Sequence, residues 1–186
     1  MKLQIVVTRR ITSRISMRIG KDGVVRVSAP YGVPKSYISR FVESHSEWIA
    51  KAQERSQRAQ SGRNAFFSRL KYDTKEEKQA VIARLDAIVS PMVMRHAAIM
   101  GVHPSRITYK KVISKWGSCN TGTRELNFSI YLLLLPEYCI EHVVVHELAH
   151  LLVPNHGPEF HRTMDKYFPE WKKARLETNR ILRSAI

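Results

Sequence analysis

The chain has 186 residues, 44% hydrophobic and 25% charged, which gives enough length and apolar content for a globular protein with a buried core. Its 31 Lys and Arg against 16 Asp and Glu give a net charge of +15, which favours an anionic partner. Two cysteines are too few for a disulfide framework, no apolar run approaches the roughly 20 residues of a membrane span, and the first ten residues lack a signal peptide's apolar region. We therefore predict a cytoplasmic protein that does not enter the membrane.

The positive charge is concentrated towards the N-terminal end of the chain. Residues 1–71 carry fifteen basic and four acidic side chains, whereas residues 72–100 carry four of each. We therefore predict a basic N-terminal domain, residues 1–72, followed by a second domain, residues 73–186, the two forming one compact unit.

Apolar and polar residues alternate in the first 28 residues, with a Lys21-Asp22-Gly23 turn signal between two of the alternating runs. The apolar positions are Leu3, Ile5, Val7, Ile15, Met17, Ile19, Val25 and Val27. A period of two with such a turn predicts a β-hairpin or a three-stranded meander, with one apolar and one basic face. Arg14, Arg18 and Arg26 on the polar face form either a solvated surface or an anion-binding surface.

Two amphipathic helices are predicted next. The first begins at Pro34 and frays near Ser61-Gly62, and the second begins at Thr74, where Glu77 completes a capping-box pattern, and ends at Gly101. Pro91 lies inside the second helix, so we expect a kink or a restart there. The segment between them interleaves basic residues with aromatic ones. It is either a mobile connector or a nucleic-acid surface with stacking aromatics.

The remaining elements are two short strands and three helices. The strands are Ile107–Val112 and Glu125–Ser129, joined by a loop. The helix from Pro136 to Val153 is apolar nearly all round and therefore belongs in the core. Pro158 and Pro169 begin the last two helices. The pattern as a whole predicts an α+β fold in which a short antiparallel sheet lies beside this apolar helix.

The apolar helix carries an H-E-x-x-H pattern, formed by His146, Glu147 and His150. Residues at positions i and i+4 lie on the same helix face with their Cβ atoms about 5–6 Å from each other, so both imidazoles can bind one metal ion. Glu147 projects to the side of that face, where its carboxylate can accept a proton from water. Polar residues on so apolar a helix would be unfavourable to bury without a ligand, and the spacing predicts a zinc site for hydrolysis.

Three further histidines are candidates near this motif. His156 follows His150 at the spacing of the metzincin pattern, but Val153-Pro154 stands where that pattern has glycine, so we reject the metzincin assignment. His161 is a competing third ligand, because a helix beginning at Pro158 would carry it in the second turn. His142 shares a face with His146, and we interpret it as a structural or supporting residue.

Several other motifs accompany the H-E-x-x-H pattern. They are Lys115-Trp116-Gly117-Ser118-Cys119, Leu126-Asn127-Phe128, Asn155-His156, Phe160, and an Ala29-Pro30 exit and a Trp48-Ile49 helix after the arginine-rich hairpin. Together they resemble the YgjP-like metallopeptidase domain, a family related to SprT and WLM proteins, over nearly the whole chain. The resemblance implies a zincin-like core, His146, His150 and His156 as zinc ligands, and Glu147 as general base. The chain differs in having His161 where the family usually has tryptophan.

Three functions are consistent with this sequence. The first is a zinc metallopeptidase acting on a peptide or protein. The resemblance also implies a nucleoside triphosphate (UTP) pyrophosphatase, which the positive charge favours, although no P-loop is present. The third is a nucleic-acid-associated protein that binds through its basic N-terminal region. Tyr131, Tyr138 and Tyr167 are candidate oxyanion donors, whereas three histidines already suffice for the metal without Cys119. The oligomeric state is not predicted.

Overall fold

The computed structural model describes residues 4–20 and 22–184, so the predicted strand position Leu3 and the turn position Lys21 lie outside the described residues. Contacts within the chain divide it into unit 1, up to Asn64, and unit 2, from Ala65 onward. The predicted boundary between residues 72 and 73 stays a prediction.

Unit 1 combines a small sheet with two helices. Its elements are β1 (Ile5–Arg10), β2 (Ser16–Ile19), β3 (Val25–Pro30), α1 (Lys35–Glu43) and α2 (Ser46–Phe67), of which the last residues belong to unit 2. Its buried core is a small apolar cluster made of Val25, Val27, Ala29, Ile38, Val42 and Ile49.

The predicted meander in unit 1 is wrong in its strand order. β2 and β3 form the expected antiparallel hairpin, but β1 pairs with the other edge of β3 in parallel, so the order is β1-β3-β2. A period of two tells which face of a strand is buried and does not tell which strand lies beside it. The alternation therefore predicted the strands correctly and their neighbours incorrectly.

The helical segment of unit 1 differs from the prediction at two points. It is broken at Ser44-His45, and its second part continues through the predicted fraying point to Phe67. At the break, the Phe41 carbonyl accepts from Ser44 Oγ at 3.0 Å and contacts His45 Nδ1 at 2.7 Å, while the His45 N–H donates to the Val42 carbonyl. These side chains replace the backbone hydrogen bond that would continue α1.

Unit 2 contains the larger core and the remaining elements. These are α3 (Lys75–Met100), β4 (Arg106–Lys110), β5 (Gly117–Asn120), β6 (Glu125–Ser129), a 3-10 helix (Ile130–Leu134), α4 (Glu137–Ala149), α5 (Pro158–Tyr167) and α6 (Trp171–Ser184). The capping box of Thr74 and Glu77 and the left-handed Gly101 that ends α3 are confirmed. The helix continues through Pro91 as one element, so the predicted restart is wrong.

The sheet of unit 2 has the order β4-β6-β5 and is mixed rather than antiparallel. β6 pairs in parallel with β4 and antiparallel with β5, and β5 lies in the segment that was predicted as a loop. Gly117-Ser118-Cys119-Asn120 has few strand-forming residues, so its conformation comes from pairing with β6. This pairing brings β5 to one edge of the sheet.

The apolar helix α4 lies in the core of unit 2, as its composition predicted, although it ends at Ala149 rather than at Val153. The α+β fold class is confirmed, and a short sheet accompanies the helix that carries the H-E-x-x-H pattern. Among the described residues, no helix combines the length and apolarity that crossing a bilayer requires.

Candidate metal centre

Three histidines meet at the C-terminal end of α4. His146 lies in the last turn, His150 is the residue that caps the helix, and His156 lies in the loop before α5. One ring nitrogen from each lies within 4.8 Å of the others, and the Nε2 atoms of His146 and His156 are 3.0 Å apart. Phe160 at the start of α5 is buried beneath them, with its ring centroid 4.7–4.9 Å from all three imidazoles.

The donor set of this triad fits a zinc ion. Two imidazole nitrogens that each lie about 2.0–2.1 Å from a tetrahedral zinc are roughly 3.4 Å apart, close to the observed 3.0 Å. Burial, followed by the charges of the neighbouring basic residues, lowers the pKa of His146 to about 3, so its ring is neutral near pH 7. A neutral imidazole is the form that binds a metal.

Glu147 is 5% exposed and lies under strand β5. Burial raises its pKa to about 8, although the Lys115 charge and the backbone N–H of Cys119 oppose this shift. Gly117 fits closely over it, because a Cβ atom at Gly117 would lie only 2.6 Å from Oε1 and 2.9 Å from Cδ of Glu147. The absence of a side chain at Gly117 therefore allows the strand and the carboxylate to pack together.

Two cavities adjoin the triad. The larger, of about 680 Å³, has a wall formed by α6 and includes Lys115, and the smaller, of about 340 Å³, is bordered by β5 and the loop after α4. Four residues line both cavities: Gly117, His146, Glu147 and His156. A substrate held in either cavity would thus contact two of the three clustered histidines, His146 and His156, and the buried carboxylate.

The other candidate residues have different positions. His161 lines the larger cavity with its ring stacked on Trp171, 5.5 Å between centroids, and is not in the triad. The described lining of neither cavity includes Tyr131, Tyr138 or Tyr167, so none of these predicted oxyanion donors is brought to the triad. Cys119 lines the smaller cavity, and burial raises the pKa of its thiol to about 11, which disfavours the thiolate.

His142 lies one turn before His146 on α4, as predicted, and lines the larger cavity. It is 8% exposed, and neither of its ring nitrogens has a hydrogen-bond partner within the described part of the chain. A buried polar group left without a partner costs about 1–3 kcal/mol. Burial, together with the Arg175 charge, lowers its pKa to about 4, so the ring is neutral near pH 7.

Four lining residues of the larger cavity come from the last helix, which the sequence motifs did not connect with the site. They are Trp171, Arg175, Thr178 and Asn179, all on α6. Their spacing of four, three and one residues places them on one face of the helix, and this stripe is visible in the sequence. Nothing in the sequence shows that α6 lies beside α4, so their relation to the metal site was not predictable.

An α+β unit with three clustered histidines and a buried glutamate next to them is typical of metal-dependent hydrolases. The model of the YgjP-like metallopeptidase domain family matches residues 13–83 and 68–181, and the chain belongs to this family, as its motifs predicted.

Two solved structures are similar to part of the chain. The first is the metallopeptidase zymogen of Pyrococcus abyssi abylysin, with a TM-score of 0.45 and 22% identity over 52% of this chain and 93% of that one. The second is the metallopeptidase zymogen of Methanocaldococcus jannaschii jannalysin, with a TM-score of 0.45 and 23% identity over 53% and 97%. A comparison with curated proteins found no match.

Proposed function

We propose that the chain is a zinc-dependent peptidase in which His146, His150 and His156 hold the metal and Glu147 is the general base. Membership of a metallopeptidase domain family supports the class of reaction. The clustering of the three imidazole nitrogens within 4.8 Å supports the metal site, and the position of Glu147 in both adjoining cavities supports its role.

A zinc ion in this site would polarise the scissile carbonyl and make a water molecule more acidic. The ionised form of the buried Glu147 carboxylate would be favoured by a dication held by the triad, and Glu147 would then accept the proton of that water and transfer it to the leaving amine. Gly117 and the burial of the carboxylate restrict where Glu147 can lie, and this restriction keeps it beside the reacting atoms. The Phe160 ring packs against all three imidazoles and limits their movement.

The observation that favours a peptide as substrate is the position of β5. This strand is an edge strand of its sheet, paired with β6 on one side, and its residues border both cavities beside Glu147. An extended peptide can bind to such an edge as an additional strand through main-chain hydrogen bonds. This mode of binding would bring a peptide bond past the metal site.

A second candidate function is hydrolysis of a nucleoside triphosphate such as UTP. The observation that favours it is the pair of basic side chains, Lys115 and Arg175, in the larger cavity. Both residues could bind phosphate oxygens. The proposed metal ligands and Glu147 would be the same in this reaction.

The two candidates are separated by assaying zinc-loaded wild type and Glu147→Gln with casein and with UTP. We expect the wild type to cleave casein, and Glu147→Gln to retain zinc while its rate falls by about 10²–10⁴-fold, because the general base is lost. UTP turnover with intact casein would favour the second candidate. Casein cleavage that survives Glu147→Gln at the wild-type rate would exclude Glu147 as the base.

The predicted binding of nucleic acid by residues 1–72 stays a prediction, as does the cytoplasmic location. Two of the arginines in unit 1 are already paired, Arg26 with Asp22 and Arg58 with Glu54. Exposed pairs of this kind reduce the local positive charge that a phosphate backbone would contact.

A further inference from the structure

The larger cavity beside the triad has a basic wall that the proposed mechanism does not use. Lys115 and Arg175 line it, and Glu147 is the single carboxylate in its described lining. Within residues 4–20 and 22–184, neither Lys115 nor Arg175 forms an ion pair with a carboxylate. Two cations therefore face this cavity without a partner of opposite charge in contact with them.

The carboxylates nearest to Arg175 along the chain are paired with other groups. Glu170 pairs with Lys173, at 2.6 Å, and Glu177 forms two hydrogen bonds with Arg180 on the same helix. Each of these pairings joins residues three apart, so both carboxylates are paired with basic residues near them in the chain and not with Arg175. Arg175 is left to face the cavity.

The Asp165 carboxylate, in α5, is also occupied. It accepts hydrogen bonds from Trp171 Nε1 at 2.7 Å and from Lys172 Nζ at 3.2 Å. Its contact with Trp171 fixes the indole that forms part of the cavity wall, and the His161 ring stacks on that indole. Asp165 therefore pairs with Trp171 and Lys172 and does not neutralise the charge of Arg175.

Two further polar side chains, those of Asn179 and His142, line the cavity with Arg175. Asn179, one turn further along α6, is exposed and lines the same cavity. The imidazole of His142, on α4, lines the cavity as well; it is buried, and neither of its nitrogens has a partner among the described residues. Arg175 lines the same cavity as His142 and His146, so its guanidinium faces the space beside the triad.

We propose that this wall is a subsite for a carboxylate of the peptide substrate, with Arg175 as the main contact and Lys115 as a second cation. The inference rests on the proposed peptidase function, because it concerns which peptides the same site selects. A planar guanidinium binds a carboxylate through two parallel hydrogen bonds, which gives both affinity and orientation. The carboxylate belongs either to an Asp or Glu side chain or to the C-terminus of the peptide.

The composition of the cavity favours a carboxylate over a triphosphate. A triphosphate carries several negative charges, and the described lining offers two permanent cations to meet them. The rest of the wall includes Val143, Trp116 and Trp171, which suit the aliphatic part of an amino acid. A single negative charge on an apolar stem matches this combination.

The subsite is tested with zinc-loaded protein and a degenerate decapeptide library, made once with free and once with amidated C-termini. Cleavage positions are read by mass spectrometry for wild type, Arg175→Gln and Arg183→Gln. Arg183 is a matched control, because it is an exposed arginine of α6 that does not line the cavity. The two forms of the library distinguish a side-chain carboxylate from a terminal one.

We expect the wild type and Arg183→Gln to prefer Asp or Glu at one fixed position, or free over amidated C-termini, by about 10- to 100-fold, the range expected for a charge-assisted hydrogen bond. Arg175→Gln should lose this preference, and Arg175→Glu should favour Lys or Arg at the same position. A binding measurement without turnover uses metal-free Glu147→Gln. Fluorescence anisotropy of the best-cleaved peptide should show about tenfold weaker binding when Arg175→Gln is added.

Two results would overturn the subsite and leave the peptidase standing. One is cleavage without any preference for a carboxylate, and the other is a preference that Arg175→Gln leaves unchanged. If UTP competes with the peptide and Arg175→Gln weakens UTP binding without altering peptide preference, the wall is a phosphate site and the carboxylate proposal is wrong. Absence of cleavage by zinc-loaded wild type would instead refute the proposed function, and the subsite with it.

Discussion

Units 1 and 2 differ in what they bury. In unit 2 five polar or charged residues are buried within the described part of the chain, namely His96, Ser129, His142, Glu147 and Thr178, whereas the described residues of unit 1 include none. Unit 1 also carries thirteen basic and four acidic residues, against eighteen and twelve in the rest of the chain. Unit 1 thus places its charge on the surface, and unit 2 places some of its polar groups inside.

The five buried polar residues of unit 2 fall into two groups. His96, Ser129 and Thr178 each have a short hydrogen bond, of 2.6–2.9 Å, to another residue, although Nδ1 of His96 has no partner among the described residues. His142 has no partner, and the pKa of Glu147 is raised to about 8 by burial. Both of these residues are on α4 beside the three histidines. His142, without a hydrogen-bond partner, and Glu147, with its raised pKa, thus both lie at the candidate site, where unfavourable burial of a polar group is expected to have a function.

The two units should differ most in zinc binding, because seven of the eight histidines lie beyond residue 64. We expect His146→Ala to weaken zinc binding by more than about 100-fold, since even the loss of an outer partner of a metal ligand costs about 10–100-fold. His45→Ala removes an exposed histidine of unit 1 and should leave zinc affinity unchanged. Competition with a chromogenic chelator measures the zinc affinity of each variant. If His146→Ala bound zinc as tightly as His45→Ala, His146 would not be a metal ligand.

Two glycines provide the next test. At Gly117 an added methyl group would meet the Glu147 carboxylate at 2.6 Å, whereas at Gly32 in unit 1 it would meet nothing within 4 Å. We expect Gly117→Ala to displace Glu147 and lower kcat/KM for casein by about 10²-fold, as a misplaced catalytic group does. Zinc content should stay at the wild-type level, and Gly32→Ala should match the wild type in both measurements. A fully active Gly117→Ala would show that the packing against β5 does not position the base.

Acid sensitivity tests the buried histidine that has no partner. The pKa of His142 is about 4 in the folded chain and has an ordinary value of 6.5 when unfolded, because burial and the Arg175 charge disfavour its protonation. The unfolded chain therefore binds more protons between these values, and the contribution of His142 to stability is present above pH 6.5 and is lost as the pH falls towards 4. From pH 7 to pH 5 this loss is about 2 kcal/mol.

Urea unfolding of the metal-free protein at the two pH values measures this contribution. We expect His142→Leu to lose about 2 kcal/mol less than the wild type on acidification, while His45→Leu in unit 1 keeps the wild-type difference. Identical differences for all three proteins would show that His142 is protonated equally in the folded and unfolded chain.

The smallest expected effect concerns how the helices of the two units begin. Thr74 accepts a hydrogen bond from the Glu77 N–H at 3.1 Å and caps α3, whereas α1 begins after Pro34 without a side-chain cap. Thr74→Ala should cost about 1 kcal/mol in the free energy of unfolding. Thr12→Ala in unit 1, where the hydroxyl contact is exposed and 3.4 Å long, should cost less than about 0.5 kcal/mol. Equal costs would mean that the capping box contributes nothing measurable.

The elements that could be predicted are those whose signals are local. Strand β6, Glu125–Ser129, and the start of α5 at Pro158 agree with the structure, because apolar alternation and proline act within a few residues. Strand β5 could not be predicted, since its Gly-Ser-Cys-Asn sequence becomes a strand through pairing with β6. The parallel pairing of β1 with β3 could not be predicted either, because alternation carries no information on neighbours.

The residues of the candidate site also differ in whether a local sequence pattern could predict them. The i, i+4 spacing of His146 and His150 predicted two clustered imidazoles, and the structure brings the rings to 5.0 Å between centroids. The relation of Arg175 to this cluster depends on how α6 packs against α4, which no local pattern encodes. Resemblance to a family supplied His156 as the third member, whereas spacing alone left His161 as a rival.

The position of the triad at the end of α4 has an electrostatic consequence. Because α4 ends at Ala149 with His150 as its cap, the negative end of the helix dipole lies beside the three imidazoles. All three are neutral ligands when they bind a metal, so a dication there would keep its full charge. The helix end supplies a partial negative charge, and this charge stabilises a cation at the triad by about 0.3–1 kcal/mol.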